Sequence, residues 1–329
     1  MPKSEKTVII DLKPNNRNTY REWTKDRKLP LFFEPWWLDA VCGKDRWDIL
    51  FSVNGSGEIN GICPVYKSSL KGLPVLRNPD FSPYSGVFLV YPADLATEQS
   101  KYSFENKTSA VLLDQLPRDV AMIQINLHPD MQNAYPFIWK QYHQTTRYTY
   151  RLEDISDPDI ISKGMNQTLR RQIRQAAEMH QISLTEDPGI IFDLLSKSLN
   201  KQHVRHRISK EMIIRISRAL HENNQGKLLI ASNLKQEVVA SMILAMDHDT
   251  AYCLALGMDH EIEQTHASKL LIYESIRLAS TLVKRYDFEG SMIPNIERIY
   301  RSFGGTRVAY HQLMWFKNRW IKALWYFLK

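Results

Sequence analysis

Apolar positions recur along this chain in two rhythms, the two-residue alternation of strands and the three-to-four-residue spacing of amphipathic helices. Pro35 opens a short helical stretch that runs to Val41 and puts Trp37, Leu38 and Val41 on one face. Asp48–Val53 and Ile59–Tyr66 read as strands, and Asn54-Gly55-Ser56-Gly57 between them supplies hairpin turn chemistry. Extended segments surround Val75-Leu76 and Tyr84–Val90; a helix near Ser100–Leu116 and a strand at Ala121–Leu127 follow. Thr145–Leu152 alternates, is β-prone, and leads into the second half. There the spacing predicts helices over Ser162–His180, with Ile173, Ala176 and Ala177 inward, and over Pro188–Asn200 and Lys210–Glu222. A hairpin of Gly226–Ser232 and Val238–Ala245, a strand at Tyr252–Gly257 and a long helix over Ala267–Val283 come next. That helix carries Leu270, Leu271, Ile272, Ile276, Leu278 and Leu282, and a short strand closes in Asp287-Phe288-Glu289-Gly290. Both halves hold a meander of strands flanked by helices without a strong sequence repeat. The pattern therefore predicts an α/β protein with mixed (α+β) sheets, in two domains spanning 1–150 and 151–329.

A length of 329 residues suits two domains, and 43% hydrophobic with 24% charged residues excludes wholesale disorder. The net charge of +7 suits an anionic partner: a phosphate-bearing substrate, a nucleic acid or a membrane surface. Cys42, Cys63 and Cys253 are scattered, with no CxxC and no Cys/His cluster, so neither a disulfide framework nor a structural zinc site is expected. His203 and His206 lie between arginines without ligand-type carboxylates, and no metal is expected there either. The polar start Met1–Lys6 and the lack of any run near ~18 apolar residues lead to the expectation of a cytoplasmic protein, peripheral at most to the inner membrane. GxSxG, HExxH, Walker A and GxGxxG patterns are absent from the sequence, so hydrolase, zinc protease, NTPase and dinucleotide chemistries lack their local signatures.

Four constellations can carry chemistry. On a helix, Arg170 and Arg174 share a face with Arg171 beside them, and with Lys163 they form either a solvated face or a phosphate clamp. Asp287, at the end of a buried strand three residues before Gly290, either caps the next helix or brings a carboxylate to the edge of a sheet. The strand Cys253–Gly257 and its following helix either offer free N–H groups to an anion or are joined by an ordinary connector. The tail Trp315–Lys329 has four basic residues, three tryptophans and no acid. As a helix it would align Phe316, Trp320, Ile321, Leu324 and Phe327, either on a membrane interface or on the body of the protein.

Four segments in order resemble the Fem-type (FemAB-like) branch of the GNAT acyltransferase superfamily. They are Phe33-Glu34-Pro35-Trp36-Trp37-Leu38-Asp39-Ala40-Val41, Ser82-Pro83-Tyr84-Ser85-Gly86-Val87, Leu169-Arg170-Arg171-Gln172-Ile173-Arg174-Gln175-Ala176, and Tyr286-Asp287-Phe288-Glu289-Gly290-Ser291 running into Arg301-Ser302-Phe303-Gly304-Gly305. The resemblance implies two tandem GNAT-like domains with a cleft near their junction. It also implies transfer of an acyl or aminoacyl group from acyl-CoA or aminoacyl-tRNA to an amine, such as that of a cell-envelope precursor. Two departures stand out: no segment replaces the long helical arm of some Fem proteins, and Tyr300 occupies the position where family members often carry a lysine, with Arg301 adjacent.

On this reading Asp287 accepts the amine proton or orients the nucleophile. A backbone N–H after Tyr252–Gly257, or the side chain of Tyr300 or Arg301, stabilises the oxyanion. Lys163, Arg170, Arg171 and Arg174 hold carrier phosphates, and Trp37 and Tyr84 join them as substrate-binding candidates. The competing reading is a non-catalytic binder of RNA, tRNA included, or of an anionic membrane surface on the same fold.

Overall fold

The computed structural model describes residues 16–327 except 45, 202–207, 263–264 and 291; Met1–Lys6, His203, His206, Ser291 and Lys329 lie outside the described residues. The chain begins with α1 (Asn16–Thr24), a 3-10 turn (Leu31–Phe33), α2 (Pro35–Cys42), β1 (Trp47–Val53), β2 (Ile59–Leu70), β3 (Leu73–Leu76) and β4 (Phe88–Leu89). It continues with α3 (Glu98–Asp114), β5 (Met122–Asn126), α4 (Tyr135–Trp139), β6 (His143–Leu152), α5 (Pro158–Gly164) and α6 (Gln167–Met179). Then come β7 (His180–Thr185), α7 (Pro188–Lys201), α8 (Lys210–Glu222), β8 (Gly226–Asn233), β9 (Val238–Met246) and β10 (Thr250–Met258). It closes with α9 (Ala267–Ala279), β11 (Arg285–Asp287), α10 (Pro294–Ser302), β12 (Thr306–Phe316) and α11 (Arg319–Phe327).

The chain forms two compact units. Among the described residues the first takes 16–27, Phe32–Arg147 and 309–327; the second takes Lys28–Leu31 and Tyr148–Val308. The last strand and helix thus group with the first unit, whereas the sequence reading placed one boundary at 150. The physical reason is the ladder between β12 and β5, from Gln312↔Asn126 to Phe316↔Met122.

In the first unit β1, β2 and β3 pair antiparallel in that order, β3 and β5 pair parallel, and β5 pairs antiparallel with β12, while β4 adds to β2. The parallel pair needs a crossover, and α3 supplies it. Thr97 starts that helix by accepting the Ser100 N–H in a reciprocal capping box, and Leu112 and Leu113 plug the core beside Leu50, Ile123 and Leu313.

The second unit repeats the scheme. β7, β8, β9 and β10 pair antiparallel, β10 and β11 pair parallel with α9 as crossover, and β11 pairs antiparallel with β6. Strands β9 and β10 are buried along nearly their whole length, so they read as continuous apolar runs. Gly257, near the end of β10, is required by packing: a Cβ there would lie 2.4 Å from the Leu195 nitrogen of α7.

The helix predicted over Ser162–His180 is two helices. Met165 and Asn166 are extended, Asn166 caps α6 by accepting the Leu169 N–H at 2.7 Å, and its own N–H donates to Ser302. A side-chain cap competes successfully with helix continuation at such a residue. Leu169, Ile173 and Ala176 form the buried stripe of α6, while Ala177, expected inward, is exposed. α9 stops at Ala279, which leaves Leu282 on the surface. The tail is not one helix: Trp315 and Phe316 end β12, and only Arg319–Phe327 is helical. No helix among the described residues is long and apolar enough to cross a membrane.

Candidate functional site

In the second unit, β10 and β11 run side by side for three residue pairs, ending at Tyr252↔Asp287. β11 then stops and β10 continues to Met258, its register against β9 shifting between Cys253 and Ala255. Beyond Tyr252 the edge of β10 that faced β11 therefore leaves the ladder. The chain after Asp287 turns to β6, where the Phe288 N–H donates to the Tyr150 carbonyl at 3.0 Å. Glu289 and Gly290 follow in left-handed conformations, φ 58° and 66°. At Gly290 any side chain is excluded, because a Cβ would meet the Tyr148 carbonyl oxygen at 2.2 Å.

This turn drives the Glu289 carboxyl inward. The residue as a whole is half-buried, yet its Oε1 is sealed from water and has no hydrogen-bond partner. Burial, and secondarily the negative charge of Asp287, push the carboxyl well above the usual carboxylate range. Around it lie groups that feel its charge. Burial pushes the Cys253 thiol up to about 12, with Glu289 adding to the rise. The Tyr300 hydroxyl is raised by burial and then by Cys253, Glu289 and Asp287. Tyr286 shares a 2.7 Å hydrogen bond with Ser275 of α9, and Phe288 stacks on Tyr300 at 5.1 Å, walling the cluster with aromatics. A buried carboxyl oxygen with no hydrogen-bond partner is costly, and such atoms concentrate where chemistry needs them.

Asp287 itself is spoken for. It is fully buried, receives the Arg151 Nε–H at 2.8 Å and the Glu289 N–H at 2.7 Å, and accepts from the Thr149 hydroxyl. It ties β11 to β6 rather than capping a helix, since α10 begins at Pro294 after Ile293. Of the other catalytic candidates, Tyr300 belongs to the Glu289 cluster. Arg301 does not: it is exposed and pairs with Glu297 one turn back at 3.0 Å.

The cations of α6 separate into two groups. Arg170 and Arg174 line one hollow of about 410 Å³ together with Ser162, Met165, Ile173 and Tyr273, Tyr273 coming from α9. Arg171 faces the start of α9, where its charge and that of Lys269 push the His266 imidazole down, after burial. Lys269, lowered by burial, donates to Gln172 at 2.8 Å and lies 3.4 Å from His266 Nδ1. His266 precedes α9 in a left-handed conformation and caps it with no side-chain bond. Lys163 is exposed and lines neither group. Trp37 and Tyr84 lie buried in the first unit, Trp37 donating to Ser82 at 2.9 Å and Tyr84 packed edge-on to Tyr310 at 5.0 Å. Sequence reasoning missed Glu289, Cys253, His266 and Lys269; a His-x-x-Lys start to the helix after a strand was the available signal for the last two. Among the described residues no cluster of His, Cys, Asp or Glu could hold a metal ion, and the three buried cysteines form no disulfide.

The pattern of an antiparallel ladder, a parallel pair with a helical crossover and an opening between the parallel strands has known relatives. Residues 163–292, which hold α6 through β11 and Glu289, match the sequence model of the acetyltransferase (GNAT) domain. No curated protein matches the chain by sequence. Among solved structures, FemX is similar over 93% of this chain and 96% of its own, at 12% identity and a TM-score of 0.62. The C-terminal domain of an Agrobacterium fabrum protein assigned as a lysylphosphatidylglycerol synthetase is similar over 94% and 95%, at 9% identity and 0.53. A tandem GNAT protein from the clavulanic acid biosynthesis pathway is similar over 95% and 98%, at 9% identity and 0.52. The fold is the GNAT fold, present in tandem.

Proposed function

We propose that the chain is an N-acyltransferase that moves an acyl or aminoacyl group from a phosphate-bearing carrier, a CoA thioester or an aminoacyl-tRNA ester, to an amine. The observation that carries this reading is the sealed Glu289 Oε1, which has no hydrogen-bond partner, at the opening of β10 and β11 in a GNAT domain. The amine nitrogen attacks the carbonyl carbon, a C–N bond forms, and the bond to the carrier sulfur or oxygen breaks. Glu289 takes the proton shed by the nitrogen, a role suited to a carboxyl whose proton affinity burial raises. Backbone N–H groups of β10 past Tyr252, outside the β11 ladder, donate to the developing oxyanion. The Tyr300 hydroxyl, in the same cluster, protonates the departing carrier. Arg170 and Arg174 hold carrier phosphate in their hollow, and Arg171, Lys269 and the open start of α9 hold a second anionic group. The FemX and synthetase likenesses support a donor of either kind and leave the acceptor amine, lipid-linked or a cell-envelope precursor, to experiment.

The test is a thermal-shift screen with acetyl-CoA, longer acyl-CoAs and a non-hydrolysable aminoacyl-tRNA analogue, followed by turnover of Glu289→Gln. A carrier at about 100 times its Kd adds ~2.7 kcal/mol to the folded state. Glu289→Gln should keep that shift and lose roughly 10²- to 10⁴-fold in kcat. If no carrier moves the transition, or the variant turns over like the native chain, the reading is wrong.

A further inference from the structure

The first unit ends in a nine-residue helix with no buried residue, an unusual fate for the sequence Arg-Trp-Ile-Lys-Ala-Leu-Trp-Tyr-Phe. Its half-buried side, Ile321, Lys322 and Trp325, faces the unit. At 100° per residue Trp320, Leu324 and Phe327 fall within one narrow outward stripe, with Trp320 71% and Phe327 88% exposed. A second apolar face belongs to the same unit. On α4, Tyr135, Ile138 and Trp139 occupy the i, i+3 and i+4 positions of an outward face. The Tyr135 and Trp139 rings stack at 5.7 Å, and Trp139 is 64% exposed.

His143, at the start of β6, meets α11. Four residues after Trp139, its ring lies 6.1 Å from that of Phe316, and its Nε2 is 3.0 Å from the Lys322 Nζ of α11. Both segments lack acids along the chain, although Asp114 of α3 pairs with Lys140 at the end of α4. No acid occurs from residue 131 to 152 or from residue 298 to the end, while Lys317 and Arg319 are exposed beside the α11 stripe. Exposed tryptophans with the exposed cations of α11 beside them match the boundary of an anionic bilayer, where indole rings settle at headgroup depth and lysine and arginine meet lipid phosphates.

We propose that α4 and α11 form a peripheral docking face for an anionic lipid membrane. Six large apolar side chains enter the interface, Lys317 and Arg319 contact headgroup phosphates, and nothing spans the bilayer. The proposal does not rest on the transferase reading, and its test needs no turnover.

The full chain is floated with vesicles of phosphatidylcholine alone and of phosphatidylcholine with phosphatidylglycerol, while tryptophan emission is recorded. Binding to the second and not the first, with a blue shift, is expected. Trp320→Ser with Phe327→Ser, and separately Trp139→Ser, should abolish it at unchanged thermal stability, since these side chains are exposed. Lys317→Ala with Arg319→Ala should weaken it about five-fold per charge, and more at low salt. The proposal is overturned if the native chain ignores anionic vesicles or if the aromatic variants bind as well as it does. It is equally overturned if the native chain is a dimer that Trp320→Ser with Phe327→Ser renders monomeric, for then a second copy covers the face.

Discussion

Asp287→Asn separates a structural anchor from a reacting group. The carboxylate is 0% exposed and its Arg151 partner 4% exposed, so neither charge has water to fall back on. The amide keeps one oxygen, which can still accept from Thr149 or from the Glu289 N–H. Its NH2 group then faces the Arg151 Nε–H, donor against donor, and the buried Arg151 cation loses the Asp287 charge. Removing one member of such a pair costs about 3–5 kcal/mol. For a unit of this size that lowers Tm by roughly 6–20 °C, at ~2–4 °C per kcal/mol. Urea unfolding followed by tryptophan emission measures the loss. Adding Arg151→Met to Asp287→Asn should restore at least half, because an apolar side chain removes the stranded charge. A second readout is independent of stability. The Asp287 charge helps hold the Glu289 carboxyl high, so its removal should move the acid limb of the pH–rate profile to lower pH. A loss under about 1 kcal/mol with an unmoved acid limb would refute both the anchoring role and the coupling of the two acids.

The elements most easily read from sequence were those whose local signals agree. Lys210–Glu222 came out with its observed bounds because Ser209 caps it and Ile213, Ile216 and Leu220 keep a helical stripe. The hairpin of β8 and β9 was legible from a polar turn between apolar runs. β12 was not, since Leu313 and Met314 are both buried and adjacent; a strand covered on both sides loses its alternation. β7 was hidden by a helical reading that ran through Asn166 to His180. At the site, the shared face of Arg170 and Arg174 followed from spacing alone. Trp37 and Tyr84 could not be told from core aromatics, and core is where they lie. Glu289 had no local signal: what buries it is the left-handed turn and the Phe288–Tyr150 bond, a contact across 138 residues of chain.

Three further outcomes follow from these contacts. Gly257→Ala forces a Cβ onto helix backbone, 2.4 Å from Leu195 N and 2.6 Å from the Leu194 carbonyl carbon, and should cost about 1–3 kcal/mol in urea unfolding; a smaller loss would mean α7 shifts freely. Arg170→Ala and Arg174→Ala should each raise KM for the carrier about ten-fold with kcat nearly unchanged, the lower end for a charge-assisted bond at partly exposed arginines; equal KM values would detach the hollow from carrier binding. The last concerns pH and Glu289. In the unfolded chain this carboxyl titrates near ~4.3, whereas in the folded chain it is raised by burial. Between those values the folded state keeps a proton that the unfolded state has released, so stability must fall as pH rises through that window, by up to ~1.4 kcal/mol per pH unit. Glu289→Gln lacks the proton exchange, so its stability advantage over the native chain should be absent at pH 4, widen steadily above it, and level off once pH passes the folded pKa. Stability curves from pH 4 to 9 that stay parallel would mean the carboxyl is already solvated, and the acid that the transfer step requires would have to be sought elsewhere in the fold.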